Sequence, residues 1–413
     1  MAELKIIGSD AFSRDGLSIK PGAHSCLQEA AEAELVEAGA VTHAGLEELR
    51  QAVTRWCGLR VIAYYDLQIG SWVFIALHDM TLGPAVGGCR ICTYPKPADA
   101  ARDAMRLAEA MTRKWAVIDA EYGGGKSVIS IPRPLEGAER AGLLKRFGHL
   151  LESLGGIYQT GEDLGTSPSD MAKMAEATRY VHGFDRATGR PLDPGPFTAL
   201  GVLAGIKCSL QHFYNDAALR GRTILVQGLG HVGGPLARLL QREGARLILS
   251  DIRGERMKEL AQELDCDWIE PEMAQATPCD VYAPCATGGM LSRESVSSLR
   301  CSVVAGAANN QLESAEVADL LHERAVLYAP DFVINAGGAI SLPLLHKGMS
   351  EREARERVQS IAQTLGQIFE EAASLNESPL HAAERRAARV LARARTLRAP
   401  LDTSTFAPAA KDS

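Results

Sequence analysis

No stretch of this 413-residue chain is apolar for long enough to span a bilayer, which excludes a membrane-crossing helix and leaves no membrane partner expected. There is no basic stripe. Lys and Arg number 44 against 51 Asp and Glu, a formal charge of −7, so no nucleic acid is expected as a partner. The opening M-A-E-L-K-I-I-G-S-D lacks the charged-then-apolar pattern of a signal peptide. Nine scattered cysteines, an odd number, suit reduced thiols, and a cytoplasmic location is expected. The single C-x-x-C, Cys89 and Cys92, has no second pair and no nearby histidine pair, so no metal site is expected. Internal repeats and low-complexity tracts are also missing.

What is present is organised around Thr223–Asp251. Ile224–Val226 is too short an apolar run for a helix and suits a buried parallel strand. Gly228, Gly230 and Gly233 follow in G-x-G-x-x-G order, enclosing His231 and Val232, and open a helix with Leu236, Leu239 and Leu240 at helical spacing. Gly228 permits a tight turn, Gly230 lets the backbone approach a pyrophosphate, and Gly233 lets helix and strand pack closely. The helix N-terminus offers free N–H groups to that pyrophosphate. A second apolar run, Leu247–Leu249, leads to Asp251, where a carboxylate accepts ribose hydroxyls. Asp251 would repel a 2′-phosphate, which favours NAD over NADP, although Arg253 and Arg256 stand close in sequence.

Elsewhere, strand-like runs at Arg60–Tyr65, Val73–Leu77, Val117–Ile118, Val128–Ile131 and Ile157–Tyr158 alternate with helical patterns at Ala98–Met111 and Ala141–Leu154. Residues 1 to about 60 read as an extension with a helical lead-in over Cys26–Ala38 and Leu46–Val53. Gly189–Pro196 is the clearest breaker cluster and the expected hinge. Thr198–Phe213 is a helix, and later runs at Val281–Tyr282, Val303–Val304 and Val326–Tyr328 complete a doubly wound parallel sheet. Ser350 and Glu353 form a capping box for a helix to about Ala373, followed by a basic helix Leu380–Leu397 and a tail. The expected fold is therefore α/β with two domains. Residues 1–194 bind substrate and form the oligomer, and 195–364 are the dinucleotide-binding domain. Helices in 365–413 pack back on the first domain.

A second constellation surrounds two lysines, Lys114 in M-T-R-K and Lys126 in Y-G-G-G-K-S. Lys114 alone reads as a surface charge. The glycines around Lys126 allow close approach, and a lysine in an apolar cleft beside another cation loses affinity for its proton, as a general base requires. G-K-S is not the end of a Walker loop, because the first glycine of that motif would fall at Ala120. Further on, G-E-D-L-G-T-S at 161–167 ends a strand with two carboxylates. One of them caps the next helix or faces the cleft to exchange protons with a substrate amine; the pattern leaves both open.

From about His78 to Gly338 the chain resembles the leucine, phenylalanine and valine dehydrogenases, relatives of glutamate dehydrogenase. The resemblance rests on L-H-D-M-T-L-G-P-A-V-G-G-C-R, M-T-R-K, G-G-G-K, T-G-E-D-L-G-T, V-Q-G-L-G-H-V-G, Y-A-P-C-A, G-A-A-N-N-Q-L and Y-A-P-D-F-V-I-N-A-G-G, in the family's order. It implies that Lys114 holds the substrate carboxylate, with Gly87, Gly88 and Met111 lining the same spot. Lys126 would activate the water that attacks an imine, and Asp163 would trade protons with the amino group. Asn310 would help bind substrate, and Thr198 and Asn335 would touch the nicotinamide amide. The implied reaction is reversible oxidative deamination of an amino acid to a 2-oxo acid and ammonia with NAD, in a homo-oligomer.

The side-chain pocket implied by the resemblance is lined by Val86, Gly161, Ala339 and Leu342. Three of these are smaller than in leucine-selective relatives, and Gly161 is similar to phenylalanine-selective ones, so a bulky or aromatic hydrophobic substrate is expected. Cys89, Trp115 and Glu121 depart from the family pattern and are expected to alter the cleft wall. Two other readings keep the fold: reduction of a different imine, or a silent relative that only binds NAD.

Overall fold

The computed structural model describes residues 3–7, 32–33, 35–36, 39–185, 188 and 190–397. Much of the expected lead-in helix at 26–38, Gly189 of the expected hinge and the expected C-terminal tail lie outside the described residues. The described chain forms two compact units. One runs to Leu192 and includes the end of the last helix from Leu391; the other is Asp193–Val390.

In the first unit, strands β1 (Glu3–Ile7), β2 (Arg60–Asp66), β3 (Ser71–Asp79), β4 (Ala85–Cys92), β5 (Gly123–Ser130) and β6 (Tyr158–Glu162) form one sheet in the order β1-β2-β3-β5-β4-β6. β3 runs antiparallel to both its neighbours, and the other pairs are parallel. Both faces of β3 are covered, which is why its sequence is apolar almost throughout. Val73, Ile75 and Leu77 join a core with Phe147 and Met171 of helices Gly137–Ser153 and Pro168–Ala175. The alternate residues Trp72, Phe74 and Ala76 meet Leu49 and Met105 of helices His43–Arg55 and Pro97–Val117 on the opposite face.

Two expectations fail here. The first five described residues are not a loose extension but a strand paired in parallel with β2. Val117–Ile118 is not a strand but the end of the long helix Pro97–Val117, and the glycine loop after it is itself the start of β5. The reason is steric. A Cβ on Gly124 would stand 1.9 Å from Thr112 Oγ1 and 2.5 Å from the Ala108 carbonyl, so only glycine lets that helix lie directly on the strand.

The second unit holds β7 (Thr223–Gln227), β8 (Arg246–Ser250), β9 (Asp267–Trp268), β10 (Val281–Pro284), β11 (Val303–Val304) and β12 (Leu327–Tyr328). All pairs are parallel, in the order β12-β11-β10-β7-β8-β9. Renumbered within the unit this is 3-2-1-4-5-6, the doubly wound dinucleotide-binding order, with the switch point between β7 and β10. The Ser350 capping box is present, but the helix it starts ends at Gln359, and Ile361–Leu375 follows as a separate helix. Residues 365–390, expected to pack back on the first domain, group with the second unit. Helix Ile361–Leu375 runs along helix Gly195–Tyr214, where Gly201 and Gly205 leave room for Ile361 and Leu365.

Candidate active site

In the first unit, β4, β5 and the end of β6 lie side by side and bring together residues far apart in sequence. Lys126 on β5 is 6% exposed, and its Nζ lies 2.9 Å from Asp163 Oδ1. Asp163 follows β6 directly. Its other oxygen, Oδ2, accepts from Arg90 Nε at 2.8 Å, and its backbone N–H donates to Thr166 Oγ1 at 2.9 Å. Burial pushes the Asp163 carboxyl up, but the charges and hydrogen bonds of Lys126 and Arg90 outweigh it and hold it at about 2. Neither acid of the G-E-D run caps the next helix; Ser167 and Asp170 do so reciprocally, which leaves Asp163 for Lys126.

The side chain in contact with Lys126 is an anion, and a cation, Arg90, lies across the same carboxylate. The pairing also has a consequence for acid stability. A carboxyl held below its unfolded range of about 3.9 contributes stability that is present above that range and lost as pH falls toward about 2. The Asp163→Asn variant, neutral throughout, should therefore unfold with a shallower pH dependence than the wild type between about pH 4 and 2. Parallel acid-unfolding curves by circular dichroism would show that the carboxyl is not held down.

The glycines expected around this site have defined neighbours. A Cβ on Gly87 would stand 1.8 Å from the Gly125 carbonyl and 3.3 Å from Met111 Cγ. One on Gly88 would stand 2.8 Å from Asp163 Cβ. Met111 and Lys114 lie one turn apart on helix Pro97–Val117, both half-buried. Val86 is buried, and its carbonyl accepts from Trp115 Nε1 at 2.9 Å. Trp115 and Cys89 are thus core residues rather than cleft wall, while Glu121 is exposed. Gly161 differs from the other glycines: an added Cβ would meet nothing nearer than His182 at 3.9 Å, so the fold does not require glycine there.

The remaining expected residues lie in the second unit. Gly228 has φ +95° and donates its N–H to the Ser250 carbonyl, closing the turn after β7. A Cβ on Gly233 would stand 1.8 Å from the Gly228 carbonyl, whereas one on Gly230 would meet nothing within 4 Å. His231 is exposed, and Val232 precedes the helix Gly233–Arg242. Asp251 is buried; its Oδ2 accepts from the Leu229 N–H at 2.6 Å and its Oδ1 from the Arg253 N–H at 2.8 Å. Burial raises its carboxyl, but these hydrogen bonds and the Arg253 charge bring it below the usual range. Arg253 Nε lies 3.4 Å from that same carboxylate. Thr198 Oγ1 donates to the Pro194 carbonyl and accepts from the Gly338 N–H. Asn335 Nδ2 donates to Asn309 Oδ1 at 2.8 Å. The neighbouring Asn310 is exposed at φ +50°. Ala339 and Leu342 lie one turn apart on helix Gly337–His346, both half-exposed.

These residues fit a dinucleotide. The turn, the open space over Gly230, the helix N-terminus and a buried carboxylate at the end of the next strand are what a pyrophosphate and an adenosine ribose require. Among the described residues no group of His, Cys, Asp and Glu could hold a metal, and no helix is long and apolar enough to cross a membrane.

Comparison with known proteins agrees with this geometry. Residues 71–180 match the Glu/Leu/Phe/Val dehydrogenase dimerisation domain, and residues 249–399 match the Glutamate/Leucine/Phenylalanine/Valine dehydrogenase domain. The leucine dehydrogenase of Thermoactinomyces intermedius is 38% identical over 311 residues, 75% of this chain and 84% of that protein. An L-tryptophan dehydrogenase of Nostoc punctiforme is 38% identical over 297 residues, 72% of this chain and 82% of its own. The crystal structure of L-tryptophan dehydrogenase from Nostoc punctiforme superposes with a TM-score of 0.73 at 34% identity, covering 85% of this chain and 99% of that one. The chain therefore belongs to the Glu/Leu/Phe/Val dehydrogenase family, and it is an amino acid dehydrogenase.

Proposed function

We propose that this enzyme catalyses the reversible, NAD-dependent oxidative deamination of a bulky hydrophobic or aromatic L-amino acid. The observation that carries the reading is the Lys126–Asp163 pair at 2.9 Å, a proton donor and acceptor with the lysine buried and the carboxylate partly open to solvent. Gly228, Gly230, Gly233, His231, Val232 and Asp251 would hold the dinucleotide, and Thr198 and Asn335 its nicotinamide amide. When bound, the cofactor supplies the acceptor for the hydride on the substrate Cα. Asp251 favours NAD, since a 2′-phosphate would meet a buried carboxylate.

The chain's own groups do the rest. Lys114 pairs with the substrate carboxylate against the Gly87–Gly88 backbone and Met111, and Asn310 assists. Asp163 accepts the substrate's ammonium protons. That ammonium competes with Lys126 for Asp163 Oδ1 and is itself the second cation the sequence reading sought. Lys126, released from its partner and facing that cation, gives its proton to solvent and as the neutral amine takes one from the water that attacks the imine carbon. We place the enzyme in the cytoplasm as a homo-oligomer; its first unit matches a domain named for dimerisation, and the cysteines among the described residues are free thiols.

The relatives' names, leucine and tryptophan dehydrogenase, together with the room beside Gly161, support a large side chain. Absorbance at 340 nm with NAD⁺ and each common L-amino acid tests this directly; equal turnover of valine and phenylalanine counts against it. Gly161→Ala adds a methyl group where the fold has space, so stability should hold. The same methyl should lower kcat/KM for phenylalanine or tryptophan about tenfold relative to valine, within the range one methylene commands in a pocket.

A further inference from the structure

We propose that Arg90 is a positioning residue for this reaction, the permanent cation that keeps Asp163 aimed at Lys126 and returns it to its charged form after each proton exchange. The inference rests on the acid–base reading of that pair. Its basis is an alternating chain of charges across the first unit. Arg90 Nε binds Asp163 Oδ2, and Arg90 Nη1 binds Asp103 Oδ2, both at 2.8 Å. Asp103 is fixed in turn by the Tyr94 hydroxyl at 2.7 Å and by Arg106 Nη2 at 2.7 Å. Arg90 is 19% exposed, and its guanidinium cannot rotate away without breaking two charge-assisted bonds.

The logic follows from what each partner must do. A lysine acting as a base loses its charge part-way through each turnover, and Asp163 would then face a neutral amine. An arginine does not deprotonate in proteins, so the charge opposite Oδ2 is constant. The two bonds also divide the work, with Oδ2 anchored to Arg90 and Oδ1 left for Lys126 or the substrate ammonium. Three other titratable groups lie within electrostatic reach of Asp163: Cys89 and Cys92 on β4 and Tyr158 on β6. Burial raises all three, Cys89 to about 12, so they stay uncharged near neutral pH and cannot replace Arg90.

The test is the pH profile of kcat/KM for the amino acid at saturating NAD⁺, in wild type, Arg90→Gln, Arg90→Lys and Asp103→Asn. Removing a cation beside a coupled pair raises the pH at which either member holds its proton. The acid limb of Arg90→Gln should therefore move up by about 1 unit or more, whichever member it reports. Arg90→Lys should move part of the way back. Asp103→Asn, which removes an anion that partly neutralises Arg90, should move the limb in the opposite direction and by less. NADH affinity should be unchanged in all three. A profile scaled down at every pH with an unmoved limb overturns the proposal, since a purely structural loss would do that. If Arg90→Gln does not fold, an unmoved limb in both Arg90→Lys and Asp103→Asn overturns it equally. A wild type without amino-acid-dependent NAD⁺ reduction would instead overturn the proposed function itself.

Discussion

Replacing Lys126 with alanine should lower turnover about 10²–10⁴-fold, the range in which positioned proton transfer contributes, while NADH still binds with its wild-type affinity. The fold should survive, because Asp163 keeps its Arg90 bond when the lysine is gone. The groups proposed to bind the nucleotide lie in the other unit, so NADH affinity is a separate readout. Lys126→Arg sharpens the result. It preserves a cation against Asp163 but not a removable proton, since a guanidinium remains charged at any working pH. Both variants should lose steady-state NADH production to that extent, because the imine is no longer hydrolysed, and both should still bind NADH in a fluorescence titration. An active Lys126→Arg would mean that position 126 supplies only charge, and the base would have to be sought elsewhere. An active Lys126→Ala would remove the lysine from the mechanism altogether.

What could be read from the residues, and what could not, divides along a physical line. The strand–turn–helix at Gly228–Gly233 was legible because the glycines there have local tasks and the flanking runs have clear periods. The turn at Gly228, the open position at Gly230 and the close packing at Gly233 follow the three jobs the spacing implies. The parallel order of β7–β12 followed from alternating strands and helices, apart from the two-residue β9, too short to leave a pattern. In the first unit the same residue type misled. Gly123–Gly125 has poor strand propensity, and its strand exists because the helix Pro97–Val117 must lie on it, a tertiary demand no local window contains. Lys126 and Asp163 each stood out for their setting, but their pairing did not, because Asp163 arrives through the β4–β6 pairing some forty residues on. Arg90 was in plain view in G-G-C-R. What concealed its part is that a strand arginine is ordinarily a solvated charge, and only the sheet shows it held between Asp163 and Asp103. Gly201 and Gly205 are helical glycines that read as weaknesses until Ile334, Ile361 and Leu365 are laid against them.

Those separate jobs of the loop glycines predict opposite phenotypes from one chemical change. In Gly233→Ala the new methyl would fall 1.8 Å from the Gly228 carbonyl, a backbone atom that cannot swing aside. Either the helix Gly233–Arg242 lifts from β7 or the turn at Gly228 opens. Overpacking of this kind costs about 1–3 kcal/mol, enough to lower the melting temperature of the second unit by several degrees. Cofactor affinity should fall with it, because the helix N-terminus proposed to hold the phosphates moves. In Gly230→Ala the methyl meets no protein atom within 4 Å, so thermal stability should be unchanged or slightly raised through the less flexible unfolded chain. Yet the space it fills is where the backbone must come close to the pyrophosphate, and NADH affinity should drop about 100-fold without any loss of fold. Melting curves with and without NADH separate the two cases: Gly233→Ala starts lower, while Gly230→Ala starts at the wild-type value and gains little from the ligand. A Gly230→Ala protein that binds NADH like the wild type would show that the phosphates lie elsewhere. The family's fold would stand, but the placement of the cofactor on this loop would not.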